Sequence, residues 1–178
     1  MSAVYHCRME GIIAGRTAGD MPGLDIAEQR SWQNFLDAAL RLYATLNRSL
    51  VDKHHLTLND VRLLDILDKS SMGSARMGDL AEALMSLPSR VTRQIRRLEM
   101  QGLVKRGASP DDGRGVLASI TDDGRTAVRD AMTTYAENVR AHFLDRLSRP
   151  QVAATGENCR RISVALKNGS TNAKLGRV

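Results

Sequence analysis

The chain has 178 residues, of which 42% are hydrophobic and only 3% aromatic, and it carries a net charge of +6. This length allows a hydrophobic core, which aliphatic side chains must fill because aromatic residues are scarce, and this favours a helical protein. No segment has the roughly 20 apolar residues of a membrane span, and residues 1–21 lack the apolar run of a secretory signal. We therefore expect a cytoplasmic protein without a membrane partner.

The N-terminal half predicts an arm followed by three helices. Residues 1–23 contain four glycines and no sustained periodicity, which indicates a disordered arm. Residues 24–55 lack glycine and proline and have apolar side chains at helical spacing, so a long first helix should end near His54. Thr57 and Asp60 are spaced like an N-cap and its partner at the start of a second helix. After a loop rich in serine, a third helix of about ten residues surrounds Leu80.

The segment of residues 86–101 has the most informative pattern in the chain. Its apolar side chains, together with Leu84 just before it, recur in steps of three and four along one face of a predicted fourth helix. They are Leu84, Leu87, Val91, Ile95 and Leu98. At about 100° per residue, the opposite face collects hydroxyls and arginines. These are Ser86, Ser89, Arg90, Arg93, Arg96 and Arg97, with Thr92 on the flank and Gln94 near the apolar edge. Pro88 suits the first turn, and Gly102 suits a left-handed residue after the last turn.

A β-hairpin and two further helices complete the predicted elements. Residues 103–106 and 116–120 read as strands around a glycine-rich tip that holds Arg114. Thr121 is typical of the N-cap of a fifth helix, which is uninterrupted to Arg149 and which Pro150 should end. A weaker apolar stripe predicts a final helix over residues 151–167, followed by a disordered tail at residues 169–178.

Short helices, a basic helix and a hairpin together predict a winged helix-turn-helix over residues 56–121 in a mainly α-helical chain. The distribution of charge supports this interpretation. Residues 86–114 carry seven basic and three acidic side chains, which suggests a polyanionic partner such as double-stranded DNA. We expect Ser89, Arg90 and Arg93 to approach base edges. Phosphate contacts are expected from Arg96, Arg97 and Lys105, and a minor-groove contact from Arg114.

The long flanking helices, at residues 24–55 and 122–168, carry more apolar surface than a winged helix of about 65 residues could cover. An isologous homodimer would cover these helices and place two recognition helices roughly 34 Å apart, one turn of DNA. The expected operator is therefore a near-palindrome.

The motifs resemble those of the MarR (multiple antibiotic resistance regulator) family of bacterial transcription factors. The matching segments are Leu80–Leu84, Val91–Arg93, Leu98–Glu99, Gly102–Val104, Asp111–Arg114 and Ser119–Arg125. The resemblance implies a triangular homodimer that binds palindromic DNA, usually as a repressor, and that is often released by a small phenolic or anionic aromatic ligand. It also implies that Arg114 enters the minor groove and that Asp112 orients it.

The same resemblance places four aromatic residues on the helices that bound the ligand pocket of the family: Trp32, Phe35, Tyr43 and Tyr135. Packing in the core or in the dimer is the alternative role for each of them. Three other positions depart from the family pattern: Arg76, Met85 and Leu87. Since Leu87 replaces a frequent capping serine, we expect Ser86 to cap the fourth helix, with a loss of about 1 kcal/mol on Ser86→Ala.

Alternative functions differ in their expected partners. An architectural protein would use the same basic face without reading bases. A redox-sensing regulator would use Cys7 and Cys159, although two distant cysteines are too few for a disulfide scaffold or a thiolate metal site. His54 and His55 are adjacent and do not share a helical face, so we expect no metal site. No catalytic or cofactor motif occurs in the sequence, so we expect no cofactor and no enzymatic activity.

Overall fold

The computed structural model describes residues 21–108 and 116–175, with side chains as far as residue 167. The protein is mainly α-helical with one small antiparallel sheet, as predicted. The helices of the described part are α1 (Ile26–His54), α2 (Leu58–Lys69), α3 (Met77–Ala83), α4 (Pro88–Met100), α5 (Asp122–His142) and α6 (Arg149–Leu175). The strands are β1 (Ser74–Arg76), β2 (Val104–Ala108) and β3 (Val116–Ile120). The chain divides into two compact units, Met1–Ala44 and Thr45–Val178.

In the first unit, the start of α1 is capped by two acidic side chains. The backbone N–H of Glu28 donates to Asp25 Oδ1 at 2.9 Å, and the N–H of Asp25 donates to Glu28 Oε2 at 2.8 Å. These reciprocal bonds satisfy backbone donors that a helix leaves unpaired at its N-terminus. The rings of Trp32 and Phe35 contact each other further along, with centroids 6.0 Å apart.

The core of the second unit is aliphatic. Its largest fully buried apolar side chains are Leu50, Leu63, Leu64, Leu67, Leu80, Ile95, Leu98, Val61 and Val91. They come from the end of α1 and from α2, α3 and α4, so the amphipathic pattern of each helix points to a common interior. Burying each such side chain contributes roughly 1.5–3 kcal/mol. The predicted cap of α2 is confirmed, because Thr57 and Asp60 form a complete capping box.

The sheet has the order β1-β3-β2, and both of its strand pairs are antiparallel. The β2–β3 pair is the predicted hairpin, with Val104 opposite Ile120. Strand β1 lies in a segment predicted to be a loop, and its Ser74 lies opposite Ser119 with the two hydroxyl oxygens 2.7 Å apart. A three-residue strand is too short to show a period of two, and its pairing with β3 forms only through tertiary structure.

Three predicted helix boundaries are wrong. Helix α3 has seven residues instead of about ten. Helix α5 ends at His142 rather than Arg149, because a 3-10 turn at Leu144–Arg146 and an extended Leu147 interrupt the helical backbone. Pro150 then lies in the first turn of α6, where its missing N–H leaves no hydrogen bond unmade, and it does not end a helix. Helix α6 continues to Leu175, past the expected end at Lys167.

Candidate nucleic-acid interface

Helix α4 separates a buried apolar side from an exposed polar side. Val91, Ile95 and Leu98 are fully buried, as their spacing predicted. The polar side carries exposed Ser89, Arg90, Arg93 and Arg96. Gly102 ends the helix at φ +75°, and the N–H of Leu103 donates to the carbonyl of Leu98, which confirms the predicted left-handed C-terminus.

The N-terminus of α4 differs from the prediction. Its N-cap is Leu87, which has no capping hydrogen bond from its side chain, so the expected cap at Ser86 is wrong. Leu87 is also 62% exposed and does not belong to the buried stripe, although its spacing suggested that it did. The reason is that an N-cap residue has non-helical backbone angles, here φ −68° and ψ 139°, so helical spacing does not place its side chain.

The turn between α3 and α4 contains a non-glycine residue in the left-handed region. Met85 has φ +50°, and its N–H donates to the carbonyl of Glu82, while the N–H of Ser86 donates to the carbonyl of Ala81. The turn therefore keeps the hydrogen bonds that a glycine would give, at a cost of roughly 1–2 kcal/mol for the left-handed backbone. Met85 itself is exposed.

The arginines of the basic helix differ in their ionic partners. In the described part of the chain, Arg90, Arg93 and Arg96 form no ion pair. Arg97 instead forms an ion pair with Asp60 of α2. The hydroxyl of Thr92 donates to the carbonyl of Pro88 at 2.9 Å, within its own helix. Among the described residues, Arg90, Arg93 and Arg96 are thus the arginines of α4 without an ionic partner, whereas Arg97 is paired although its side chain is 43% exposed.

An ion pair connects the end of α4 to the first strand of the wing. Arg106 Nε donates to Glu99 Oε2 at 2.7 Å, and the N–H of Arg106 donates to Glu99 Oε1 at 3.3 Å. These bonds from Arg106 hold the pKa of the Glu99 carboxyl below its ordinary value. On the same strand, Lys105 is exposed. Two predicted wing residues, Asp112 and Arg114, lie outside the described residues.

Comparison with known proteins identifies the family. The MarR family profile matches residues 56–116. AbsC, a MarR family transcriptional regulator from Streptomyces coelicolor, is 30% identical with a TM-score of 0.77, over 83% of this chain and 99% of AbsC. Sco3205, a MarR family regulator of the same organism solved in complex with DNA, is 32% identical with a TM-score of 0.78, over 83% of this chain and 93% of Sco3205. The chain belongs to the MarR family.

Members of the MarR family are transcriptional regulators and not enzymes. A more distant structural neighbour is BpsR of Bordetella bronchiseptica, whose DNA binding is regulated by 6-hydroxynicotinic acid. It is 23% identical with a TM-score of 0.66, over 75% of this chain and 98% of BpsR, and this likeness concerns the fold. No curated protein matches the chain.

The aromatic residues predicted to bound a MarR ligand pocket fall in both units. Trp32, Phe35 and Tyr43 are exposed on the part of α1 in the first unit, and Tyr135 is half-buried on α5 in the second. Their role stays a prediction.

The histidine and cysteine side chains do not form a common cluster in the part of the chain that the structure describes. His54 Nε2 lies 2.8 Å from Thr134 Oγ1, so this histidine joins α1 to α5 within the second unit. Cys159 is exposed, and Cys7 lies outside the described residues. Over residues 21–108 and 116–175, no group of three or more His, Cys, Asp or Glu side chains is placed to hold a metal ion. Nor does any helix in those ranges have the length and apolar character of a membrane span.

Two acidic residues that contact the basic side chains of α4 and β2 were not predicted to do so from the sequence. Asp60 was assigned only a local capping role, but it also accepts hydrogen bonds from Gln94 and Arg97 of α4. Glu99 was noticed only as part of a family motif, but it holds Arg106 of the wing. The available signal in the sequence was an acidic residue in or near a strongly basic segment, which does not reveal its partner.

Proposed function

We propose that this MarR family regulator is a cytoplasmic homodimeric repressor that binds a near-palindromic operator through α4 of each subunit. The observation that carries the proposal is the division of α4 into a fully buried apolar stripe and an exposed cationic side. Arginine on such a surface donates paired hydrogen bonds to guanine in the major groove. The DNA complex of Sco3205 supports the assignment.

The proposed contacts divide into base readout and phosphate binding. Ser89, Arg90 and Arg93 lie in the first turns of α4, the part of a recognition helix that approaches base edges. Arg96 and Lys105 are exposed further along and suit phosphate contacts. Apart from Arg97, which was also predicted to bind DNA but pairs with Asp60, the proposed surface comprises Ser86, Ser89, Arg90, Thr92, Arg93, Arg96, Lys105 and the wing residues Asp112 and Arg114.

The homodimer is supported by exposed apolar side chains on two helices, considered separately. On α1 they include Leu36, Leu40 and Tyr43, and on α6 they include Ile162 and Leu166. Contiguous apolar surface on a helix is unfavourable in water and is typical of subunit interfaces. A second copy of the chain would cover it and would provide the two-fold symmetry that a near-palindromic operator requires.

The proposed effector is a small aromatic acid that releases the protein from DNA. The exposed aromatic rings on α1 supply stacking surface for such a ligand, and the aromatic acid that regulates BpsR belongs to this chemical class. Because Trp32 is the only tryptophan of the chain, its fluorescence reports binding near it. Titration with benzoate should change Trp32 fluorescence and lower operator affinity over the same concentration range. A change in neither would contradict this effector class.

Selection from a random pool of DNA duplexes tests the DNA-binding proposal. The wild-type protein should enrich a near-palindrome, and Arg93→Ala should relax the preference at one base pair in each half-site, with a loss of roughly 1–3 kcal/mol. Arg129→Ala is the matched control, since Arg129 is an exposed arginine of α5. Equal losses on every sequence for Arg93→Ala would contradict its base-reading role. Enrichment of no preferred site would favour an architectural protein instead.

A further inference from the structure

One buried carboxylate lies between the start of α2 and the basic helix α4. Asp60 is only 1% exposed. Its Oδ2 accepts hydrogen bonds from the N–H of Thr57 at 2.8 Å and from the Thr57 hydroxyl at 2.6 Å. Its Oδ1 accepts from Gln94 Nε2 at 3.0 Å and from Arg97 Nη2. Both carboxylate oxygens are therefore fully engaged, one with α2 and the other with α4.

The two bonds to α4 constrain its orientation. Gln94 and Arg97 are three residues apart and lie on the same side of the helix, so a common acceptor limits both rotation about the helix axis and sliding along it. A rotation of about 10–20° is enough to move side chains out of a productive binding geometry. The contacts with Asp60 therefore constrain the direction in which the side of α4 that carries Ser89, Arg90 and Arg93 faces.

The same cluster is tied to α1. Asn47 Oδ1 accepts a hydrogen bond from the N–H of Leu58 at 2.9 Å, beside the Thr57 cap. Within the second unit, a continuous set of polar contacts therefore runs from α1 through the first turn of α2 to α4. A buried carboxylate is costly unless it is paired, and the guanidinium of Arg97 supplies the opposite charge.

We propose that Asp60 is a positioning residue for operator recognition, acting through Gln94 and Arg97, and that Arg97 serves this cluster rather than a phosphate. The inference rests on the proposed function, since it concerns how the same helix reads DNA. It differs from the expectation drawn from the sequence in removing Arg97 from the phosphate-binding set.

Two adjacent arginines provide a matched comparison. The wild-type protein, Arg96→Ala and Arg97→Ala are each titrated with two DNA duplexes over a series of salt concentrations. The operator duplex is the one that the wild type selects from a random pool, and the second duplex has a random sequence. Arg96→Ala should weaken binding to both duplexes and lower the salt slope by about one unit per subunit, because a phosphate contact is lost. Arg97→Ala should leave the salt slope and random-duplex affinity unchanged but lower operator affinity about tenfold.

Substitutions of the carboxylate and its second partner complete the experiment. Asp60→Asn should reproduce the loss of operator preference seen with Arg97→Ala, and the double variant should lose no more than Arg97→Ala alone, because both changes break the same contact. Arg97→Ala leaves the buried Asp60 carboxylate unpaired, whereas Gln94→Ala removes one bond and leaves the ion pair intact, so Gln94→Ala provides the test if Arg97→Ala or Asp60→Asn does not fold. It should lower the ratio of operator to random affinity with the salt slope unchanged.

Two results would overturn the inference alone. One is a salt slope reduced by about one unit per subunit in Arg97→Ala, with equal losses on both duplexes, which would make Arg97 a phosphate contact. The other is an operator preference equal to that of the wild type in folded Asp60→Asn or Gln94→Ala, which would leave Asp60 a purely structural role. If the wild-type protein itself does not distinguish operator from random DNA, the proposed function fails together with this inference.

Discussion

At Gly124, close packing rather than backbone conformation requires glycine. Gly124 lies in the first turn of α5, and a Cβ atom at this position would be 2.1 Å from the carbonyl oxygen of Leu103 and 2.8 Å from Ile120 Cγ1. Its N–H donates to the hydroxyl of Thr121, which in turn donates to the carbonyl of Gly102. The small residue thus lets the start of α5 pack directly on the segment that follows α4.

Gly124→Ala should lower the free energy of unfolding by roughly 1–3 kcal/mol, because the added methyl group overlaps backbone atoms that have little freedom to move. Urea unfolding followed by circular dichroism measures the change. Gly156→Ala is the control, since a Cβ at this position on α6 meets no atom within 4 Å. It should raise stability by roughly 0.5–1 kcal/mol through helix propensity. A Gly124→Ala midpoint equal to that of the wild type would contradict the packing argument.

The uncapped start of α4 leads to a second prediction at the residue scale. Leu87→Ser should raise the free energy of unfolding by about 1 kcal/mol, because a serine hydroxyl at the N-cap accepts a hydrogen bond from an unpaired backbone N–H. Ser86→Ala serves as the comparison and should leave the urea midpoint unchanged, since Ser86 is not the N-cap. The opposite ranking of the two variants would restore Ser86 as the cap.

At the scale of elements, α4 and the wing are joined by a partly exposed ion pair. Glu99 is on the last turns of α4 and Arg106 is on β2, so their contact sets where the wing begins relative to the basic helix. The hydrogen bond from Arg106 lowers the pKa of Glu99 from its ordinary value of 4.5. A carboxyl whose pKa is lower in the folded state stabilises that state while it is ionised.

The stabilisation from Glu99 should be complete above pH 4.5 and should disappear as the pH falls through the lowered pKa of the folded state. Wild type should therefore have a higher urea midpoint than Glu99→Gln at about pH 7, and the difference should shrink at about pH 3. Glu137→Gln is the control, because Glu137 is exposed on α5 and forms no ion pair among the described residues, so its substitution should change the midpoint little at either pH. A Glu99→Gln difference independent of pH would exclude this ionic contribution.

On the scale of the whole molecule, the proposed dimer accounts for apolar surface that each described unit leaves exposed. Leu40 of α1 is 61% exposed and belongs to the same helical stripe as Leu36 and Tyr43. On α6, Ile162 and Leu166 are exposed and four residues apart, so they share a helical face. Scattered exposed leucines are common in monomers, but a stripe along a helix is typical of a surface that another chain covers.

Leu40→Glu should convert the dimer to a monomer at about micromolar concentration, because burying an unpaired carboxylate at the interface costs several kcal/mol. Sedimentation velocity measures the oligomeric state. Asn34→Glu introduces the same side chain on the opposite face of α1 and should remain dimeric. A wild-type protein that sediments as a monomer would exclude the dimer, and a dimeric Leu40→Glu would exclude this face of α1 as its interface.

The sequence by itself determined the local features of this protein. Helical periodicity predicted the buried stripe of α4 and its cationic side, and hydrogen-bonding side chains marked the starts of α2 at Thr57 and of α5 at Thr121. These features depend on residues within one or two turns of each other, so spacing alone reveals them.

Only the tertiary structure decided what those local elements contact. It formed β1 by pairing with a distant strand, ended α5 at His142 in a segment that lacks glycine and proline, and brought Gln94 and Arg97 to Asp60 across 34 and 37 residues. An arginine on a basic helix has the same local pattern whether it faces DNA or a buried carboxylate. Its partner depends on how α2 and α4 pack, which periodicity along one helix does not encode.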